Sequence, residues 1–217
     1  MTPHLCVLLA THNRGKLAEL SSLLADLPIE VISLATALPE KPQVIEDGAT
    51  FEDNAKLKAR AAANETMLVT LAEDAGLEVD ALGGRPGVRS ARFAGEGATD
   101  AENNAALLAA LDEIDDDQRS ARFRSVLVLI DPWSDASEPV VSEGRCEGAV
   151  ARQARGTGGF GYDPLFVLSG SDRTMAELDE AEKNRVSHRA KAFAAMRPAL
   201  VALCEQRVSA AAQIARP

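Results

Sequence analysis

The sequence predicts an α/β protein in which a mixed, twisted sheet is flanked by helices, organised as one two-lobed domain over residues 1–205. A short apolar run at Leu5–Ala10 passes through a polar turn into leucines at helical spacing, which is how α/β folds commonly begin. Further along, segments 121–130 and 139–152 have the pattern of two long strands of an antiparallel pair. The combination favours a mixed sheet.

In the first third of the chain, apolar runs alternate with helical patterns. The run Leu5–Ala10 is apolar throughout, as in a strand buried on both faces, and leucines between Leu17 and Leu27 recur on one helix face. Segment 49–64 is rich in Ala, Lys and Glu, which are good helix formers. The assignments in chain order are strand 5–10, helix 17–27, strand 29–34, helix 49–64 and strand 67–74.

After residue 80 the chain first loses regularity and then returns to helices and strands. Segment 81–95 carries too many Gly and Pro residues for regular structure, and Asp100 is the predicted N-cap of the helix that follows. A helical part begins near Thr174, and residues 206–217 are expected to form a frayed tail. The assignments are helix 100–114, strands 121–130, 139–152 and 165–168, and helices from Thr174 onward.

Charge and composition restrict the class of partner. The chain has 217 residues and a net charge of −10. A nucleic-acid polymer is bound through clustered Lys and Arg, so it is not the expected partner, whereas one nucleotide needs only a local group of cations. The cysteines are scattered, the N-terminus lacks a secretion signal, and no run reaches the ~20 apolar residues that span a bilayer. We therefore expect a cytoplasmic protein without a membrane partner.

Two polar segments in the N-terminal third have the groups of a phosphate and metal site. Thr11–Lys16 lies between a predicted strand end and a helix start, where free N–H groups suit an anion. The alternative is simple helix capping by Thr11 or Asn13. Glu73 and Asp74 end a predicted strand, and such carboxylates hold Mg²⁺ together with substrate phosphates. The alternative is that this acidic pair only begins a surface turn. Glu46 either adds a ligand or is merely exposed.

Two further segments have the groups of a site for a base. Segment 156–164, GTGGFGYDP, combines glycines, two aromatic rings and a carboxylate, and it is either a ligand-binding loop or a flexible turn. Segment 182–191, EKNRVSHRAK, is rich in cations. A helix break near Ser187 would place His188 and Arg189 at a helix start, where cations oppose the dipole and point to an acceptor ligand. The alternative is a basic, solvated helix. Together the four segments suit Mg²⁺-assisted phosphoryl chemistry on a nucleotide, with a ring stacked on the base.

Five sequence blocks resemble the successive signatures of the inosine triphosphate pyrophosphatases, also called XTP/dITP diphosphatases. The blocks are LLATHNRGKLAEL, FEDNAKLKARAA, LAEDAGLEVDALGGRPGVRSARFAG, GTGGFGYDPLFV and AELDEAEKNRVSHRAKA. They follow the order of the family over about residues 5–200. The resemblance implies an elongated, two-lobed, Mg²⁺-dependent homodimer with an active-site cleft between the lobes. It also implies hydrolysis of the non-standard purine nucleotides ITP, dITP and XTP to monophosphate and pyrophosphate, which sanitises the nucleotide pool.

The resemblance also implies roles for individual residues. Asp74 is the implied catalytic base and a metal ligand, and Glu46 is the other ligand. Glu73 either binds the metal directly or lies just outside its direct ligands. The implied substrate contacts are Thr11, His12, Asn13, Arg14, Gly15 and Lys16 at the triphosphate, Lys58 and Ala75 beside it, Phe160, Gly161, Tyr162 and Asp163 around the base, and Lys183, His188 and Arg189 completing the site.

Two positions depart from the commonest family pattern. His12 stands where a small residue is frequent, and Ala75 stands where a hydroxyl residue is usual. A lost hydroxyl removes one hydrogen bond to substrate, worth about 0.5–1.5 kcal/mol, so affinity is affected more than activity. Two alternatives stay open at this point. One is a relative with a different nucleotide preference, and the other is a nucleotide-binding regulator without turnover.

Overall fold

The fold is built on a six-stranded sheet, described over residues 4–38, 44–135 and 138–214 in a computed structural model. The strands are β1 (Leu5–Leu9), β2 (Ile29–Ser33), β3 (Val69–Val79), β4 (Ser120–Ile130), β5 (Val140–Val150) and β6 (Phe166–Leu168). The α-helices are α1 (Arg14–Leu24), α2 (Leu34–Ala37), α3 (Phe51–Thr66), α4 (Asp100–Ala110), α5 (Glu180–Val186) and α6 (His188–Ile214). Short 3₁₀ helices cover Asp80–Leu82, Gly87–Arg92, Asp116–Gln118 and Met175–Glu177.

The sheet is mixed, as the sequence predicts. Its strand order is β2-β1-β3-β4-β5-β6. Strand β1 runs parallel to both of its neighbours, with Val7 opposite Val31 on β2 and Val69 on β3. Strands β5 and β6 are antiparallel, with Gly148 opposite Leu168. The predicted α/β class with a mixed sheet is therefore confirmed.

The chain divides into two compact units. The first comprises the described residues within Met1–Asp74, Val126–Glu143 and Ala192–Pro217, and the second those within Ala75–Ser125 and Gly144–Lys191.

The core of the first unit joins β1 and β3 to one face of α1 and of α6. Leu20 and Leu24, from the predicted leucine face, are each 1% exposed and pack in one cluster with Val7, Leu71 and Met196. Burying a side chain of this size contributes about 1.5–3 kcal/mol. The spacing of the leucines therefore determines which face of α1 meets the sheet.

The second unit has a core of its own and, beside it, a buried arginine. Arg119 is 2% exposed, and its guanidinium donates to the carbonyl oxygens of Leu111 at 2.7 Å, Val150 at 2.8 Å and Ala151 at 3.1 Å. These bonds join the end of α4 to the end of β5. The core itself consists of Leu77, Val79, Leu107, Leu111, Ala121, Phe123, Cys146, Val150, Tyr162, Leu165, Phe166 and Met175.

The end of β3 and the cap of α4 differ from the sequence prediction. Strand β3 does not stop at Asp74 but continues to Val79, and its apolar residues Leu77 and Val79 beyond the acids are again buried. The N-cap of α4 is Thr99 and not Asp100: the Thr99 side chain accepts from the N–H of Glu102, and Glu102 bonds back to the cap. This reciprocal capping box satisfies two free N–H groups, which a cap at Asp100 would not do.

The last helix is longer than expected. Helix α6 has 27 residues and reaches Ile214, inside the segment 206–217 that we expected to be frayed. Alanine, the strongest helix former, occupies three successive positions of the sequence there. Among the described residues, no helix combines the length and hydropathy that crossing a bilayer requires.

The buried arginine generates a stability prediction. Arg119→Lys should lower the free energy of unfolding by about 2–4 kcal/mol, because one ammonium cannot replace the forked donors and buried carbonyls are left unpaired. The matched control is Arg152→Lys, where half of the side chain is exposed beside Asp116, and it should cost at most about 1 kcal/mol. Urea unfolding measures both. Equal losses would show that Arg119 has no special structural role.

Candidate active site

The carboxylate of Asp74 is held by one face of α3. Asp74 is 7% exposed, and its Oδ1 accepts from Lys58 Nζ at 2.7 Å while its Oδ2 accepts from Asn54 Nδ2 at 3.3 Å. Asn54 and Lys58 are four residues apart, so they lie on the same side of the helix. Each oxygen of the carboxylate therefore has its own donor, and the orientation of the group is determined.

The same ammonium brings Glu46 to Asp74. Lys58 Nζ lies 3.0 Å from Glu46 Oε2, and its side chain is 13% exposed. Burial lowers the pKa of Lys58, but the two carboxylates outweigh that effect, so the net pKa is raised above its ordinary value. Lys58 is therefore a cation at neutral pH, and the two acids that the sequence proposes as metal ligands are placed around one positive charge.

Asn54, which the sequence analysis did not select, joins this group to the preceding segment. The Oδ1 of Asn54 accepts from the N–H of Gly48 at 2.9 Å, and Asn54 is 0% exposed. A Cβ on Gly48 would lie 2.6 Å from that oxygen, so the close approach requires glycine. A signal for Asn54 exists in the sequence, since it is a polar residue within the buried stripe of α3 beside Phe51 and Ala55.

Glu73 does not converge with Asp74. Because β3 continues through both residues, their side chains point to opposite faces of the sheet. Glu73 is 2% exposed, and its Oε2 lies 3.7 Å from Lys16 Nζ. Within the three described ranges, no cluster of three or more His, Cys, Asp or Glu residues has the arrangement of a metal centre.

The turn before α1 is ordered by local capping. Asn13 is the N-cap, with its Oδ1 accepting from the N–H of Lys16 at 2.9 Å, and Thr11 Oγ1 accepts from the N–H of Asn13 at 3.2 Å. His12 and Arg14 are exposed, and Gly15 is half-buried. Capping is thus present, and the exposed polar side chains and Lys16 remain at the start of the helix, where an anion is stabilised.

In the second unit, the glycine-rich segment is a tight turn around a buried carboxylate. Asp163 is 3% exposed, and its Oδ2 accepts from the N–H of Phe160 at 3.0 Å and from Lys183 Nζ at 2.6 Å. Gly159 has a φ of +70°, and a Cβ there would lie 2.0 Å from the same oxygen. The structure favours an ordered loop, and it places Asp163 as the internal support of that loop.

Two buried cations lie near the ring of Phe160. Lys183 Nζ is 5.1 Å and Arg189 Cζ is 5.4 Å from the ring centroid. The predicted helix break is confirmed, because α6 begins at His188 and Ser187 Oγ accepts from the N–H of Ala190 at 3.1 Å. His188 and Arg189 are therefore in the first turn of α6, and they are 4% and 1% exposed.

The ring of His188 is held by an aromatic residue that the sequence analysis did not select. Phe123 of β4 stacks on His188 with a centroid distance of 4.7 Å and an interplanar angle of 14°. A stacked imidazole keeps its N–H groups in a defined plane.

Tyr162 is buried, with its hydroxyl donating to the carbonyl oxygen of Ser90 at 2.8 Å, and it acts as an anchor of the loop. Ala75 is half-buried and follows Asp74 on β3.

The pair of Lys183 and Asp163 generates a second stability prediction. Both side chains are at least nine-tenths buried, so Lys183→Met should cost about 3–5 kcal/mol by leaving the carboxylate without this ammonium. The double variant Lys183→Met, Asp163→Asn should lose less than the sum of the single changes. The control is Lys191→Met, on an exposed lysine that donates to the carbonyl oxygen of Arg145. Additive losses in urea unfolding would contradict a coupled pair.

Comparisons with known proteins all place the chain in one family. A model of the Ham1 family matches residues 7–199. The dITP/XTP pyrophosphatase of Desulforamulus reducens is 50% identical over 187 residues, or 86% of this chain and 91% of that protein. The dITP/XTP pyrophosphatase of Mycobacterium bovis is 48% identical over 202 residues, or 91% of this chain and 96% of that protein. The solved structure of a HAM1 protein from Coxiella burnetii matches with a TM-score of 0.81 and 45% identity, covering 90% of this chain and 98% of that one.

Proposed function

Because the chain belongs to the Ham1 family, we propose that it is a dITP/XTP pyrophosphatase. It hydrolyses ITP, dITP and XTP to the nucleoside monophosphate and pyrophosphate, which removes non-standard purines from the nucleotide pool. Relatives that carry this name match most of the chain at close to half identity. The observation that carries the proposal is the carboxylate of Asp74, whose two oxygens are separately held by Lys58 and Asn54. An oriented carboxylate is what general-base catalysis requires.

Mg²⁺ fits the donors of the first unit. Glu46 and Asp74 supply hard carboxylate oxygens and already accommodate one cation, the ammonium of Lys58. These two residues would hold the metal together with oxygens of the substrate. Glu73 would act indirectly, through its ion pair with Lys16. When bound, Mg²⁺ neutralises the phosphate chain and stabilises the departing pyrophosphate.

The residues of the first unit account for the chemical step. Asp74 accepts a proton from a water molecule whose oxygen attacks the α-phosphorus. The new bond between oxygen and phosphorus forms as the bond to the α–β bridging oxygen breaks, and its electron pair leaves with pyrophosphate. Lys58 and Asn54 keep the base oriented, while Lys16 and the N–H groups at the start of α1 balance the charge of the phosphates.

The residues of the second unit account for the choice of base. Phe160 offers a stacking face, and His188 and Arg189 offer donors. Hypoxanthine and xanthine present a carbonyl acceptor at C6, where adenine presents an amino donor. A buried donor that meets another donor is left unpaired, so the site should reject adenine.

The remaining assignments rest on the family and the composition. We propose a homodimer that works in the cytoplasm without a nucleic-acid or membrane partner. The net charge of −10 supports the exclusion of a nucleic-acid polymer. Sedimentation and gel filtration test the dimer.

The base assignment predicts a loss of turnover in Asp74→Asn. The amide preserves the shape but cannot accept the proton, so kcat should fall by about 10²–10⁴-fold. The measurement is pyrophosphate release from ITP with and without Mg²⁺, and Asp117→Asn, an exposed change of the same kind, is the control. Turnover near the wild-type rate would remove Asp74 from the mechanism. Wild-type protein that binds ITP without releasing pyrophosphate would instead be a regulator.

The base-reading assignment predicts a change of selectivity in Arg189→Ala. The kcat/KM for ITP should fall by about 10–100-fold, as expected for a lost hydrogen bond to a charged donor, and by less for ATP. The comparison is made at saturating Mg²⁺ with Arg185→Ala, an exposed arginine of α5, as the matched control. An equal loss for both nucleotides would place Arg189 at the phosphates.

A further inference from the structure

Helix α4 holds the glycine loop by both polar groups of one residue. The N–H of Gly161 donates to Asp100 Oδ2 at 2.7 Å, and the carbonyl oxygen of Gly161 accepts from Asn104 Nδ2 at 2.9 Å. Asp100 and Asn104 are four residues apart, so both side chains leave α4 on the same face. We call this pair of contacts the α4 clamp.

Capping of helix α4 does not require the α4 clamp. The start of α4 is already satisfied by the capping box of Thr99 and Glu102. Asp100 is the first residue after that cap, and its carboxylate is directed to a residue 61 positions away in sequence. The clamp therefore serves the loop.

The amide of Asn104 supports the same conclusion. Its Oδ1 is buried and has no hydrogen-bond partner among the residues that the structure describes. A buried acceptor without a partner is unfavourable, and an apolar side chain at this position would avoid it. What the amide contributes in return is the bond from its Nδ2 to Gly161, so that bond is the physical reason for an asparagine here.

Gly161 controls where the ring of Phe160 lies. Its φ is +61°, in the left-handed region, and it directly follows Phe160 in the chain. The N–H of Phe160 is bonded to Asp163, and the hydroxyl of Tyr162 is bonded to Ser90. With the α4 clamp in place, polar groups of three successive residues of the turn are all bonded, and the ring is kept near two buried cations.

We infer that Asp100 and Asn104 are positioning residues for base recognition, acting through the backbone of Gly161 on the ring of Phe160. The inference rests on the proposed function and extends it to residues outside the site. The α4 clamp contains none of the residues that the proposed function assigns to the phosphates. Its removal should therefore weaken binding of the base and reduce discrimination between purines, while the chemical step proceeds at the same rate.

The test uses Asp100→Ala and Asn104→Ala, with Asp100→Asn as the conservative variant. In each alanine variant, KM for ITP should rise by about three- to tenfold, the effect of one lost hydrogen bond, with kcat unchanged. The ratio of kcat/KM for ITP over ATP should fall. Inhibition by inorganic tripolyphosphate, which has no base, should be unaffected. Asp100→Asn retains an acceptor oxygen and should behave nearly as the wild type.

A second measurement is independent of turnover. Amide hydrogen exchange in the ligand-free protein should become faster within residues 156–164 of the alanine variants and stay unchanged in Asn64→Ala, an exposed change on α3. Unchanged exchange in the loop would overturn the α4 clamp. Faster exchange with an unchanged ratio of ITP over ATP would overturn its role in selectivity, as would an equal loss of tripolyphosphate binding. If the wild type released no pyrophosphate from ITP, the proposed function would fail, while the exchange result would still decide the clamp.

Discussion

A buried carboxylate beside one ammonium is the constraint on which the first unit depends. Asp74 is almost fully covered, and a carboxylate in such a position is costly unless donors face both of its oxygens. Asn54 and Lys58 meet this requirement only if α3 is helical over both residues, and the capping box of Thr50 and Asp53 begins that helix. The strand, the helix and the cap are therefore parts of one electrostatic arrangement.

The second unit meets a different constraint, which is to keep cations and a ring together away from water. Lys183, His188 and Arg189 are all buried, and the guanidinium of Arg189 lies in the first turn of α6, where the helix dipole opposes positive charge. Asp163 offsets the cost of burying the Lys183 ammonium through their hydrogen bond, and it accepts from the backbone of the glycine loop with the same oxygen. The burial of a cation and the order of the loop are thus supported by the same carboxylate.

Sequence reasoning predicted what depends on neighbouring residues and missed what depends on distant ones. The mixed sheet and the helix start after Ser187 followed from local periodicity and capping chemistry. The true cap of α4 was accessible too, since Thr99 and Glu102 have capping-box spacing. Asn54 and Phe123 act on residues 20 and 65 positions away, and no local pattern indicates such partners. The course of β3 beyond its acids was missed because a strand that carries buried acids has no apolar signature at that point.

The residues proposed for the chemical step and those proposed for the base belong to separate hydrogen-bond networks. A contact with the base that is made equally in the ground state and the transition state changes kcat/KM and leaves kcat unaltered. In the proposed mechanism, proton acceptance by Asp74 would occur only as the attacking oxygen bonds to phosphorus, so it would affect kcat. The hydrogen bonds that orient Asp74 involve Asn54 and Lys58, and those that order the glycine loop involve other residues. Since the two networks share no residue, the proposed roles allow the preference for a base to change without loss of the catalytic rate.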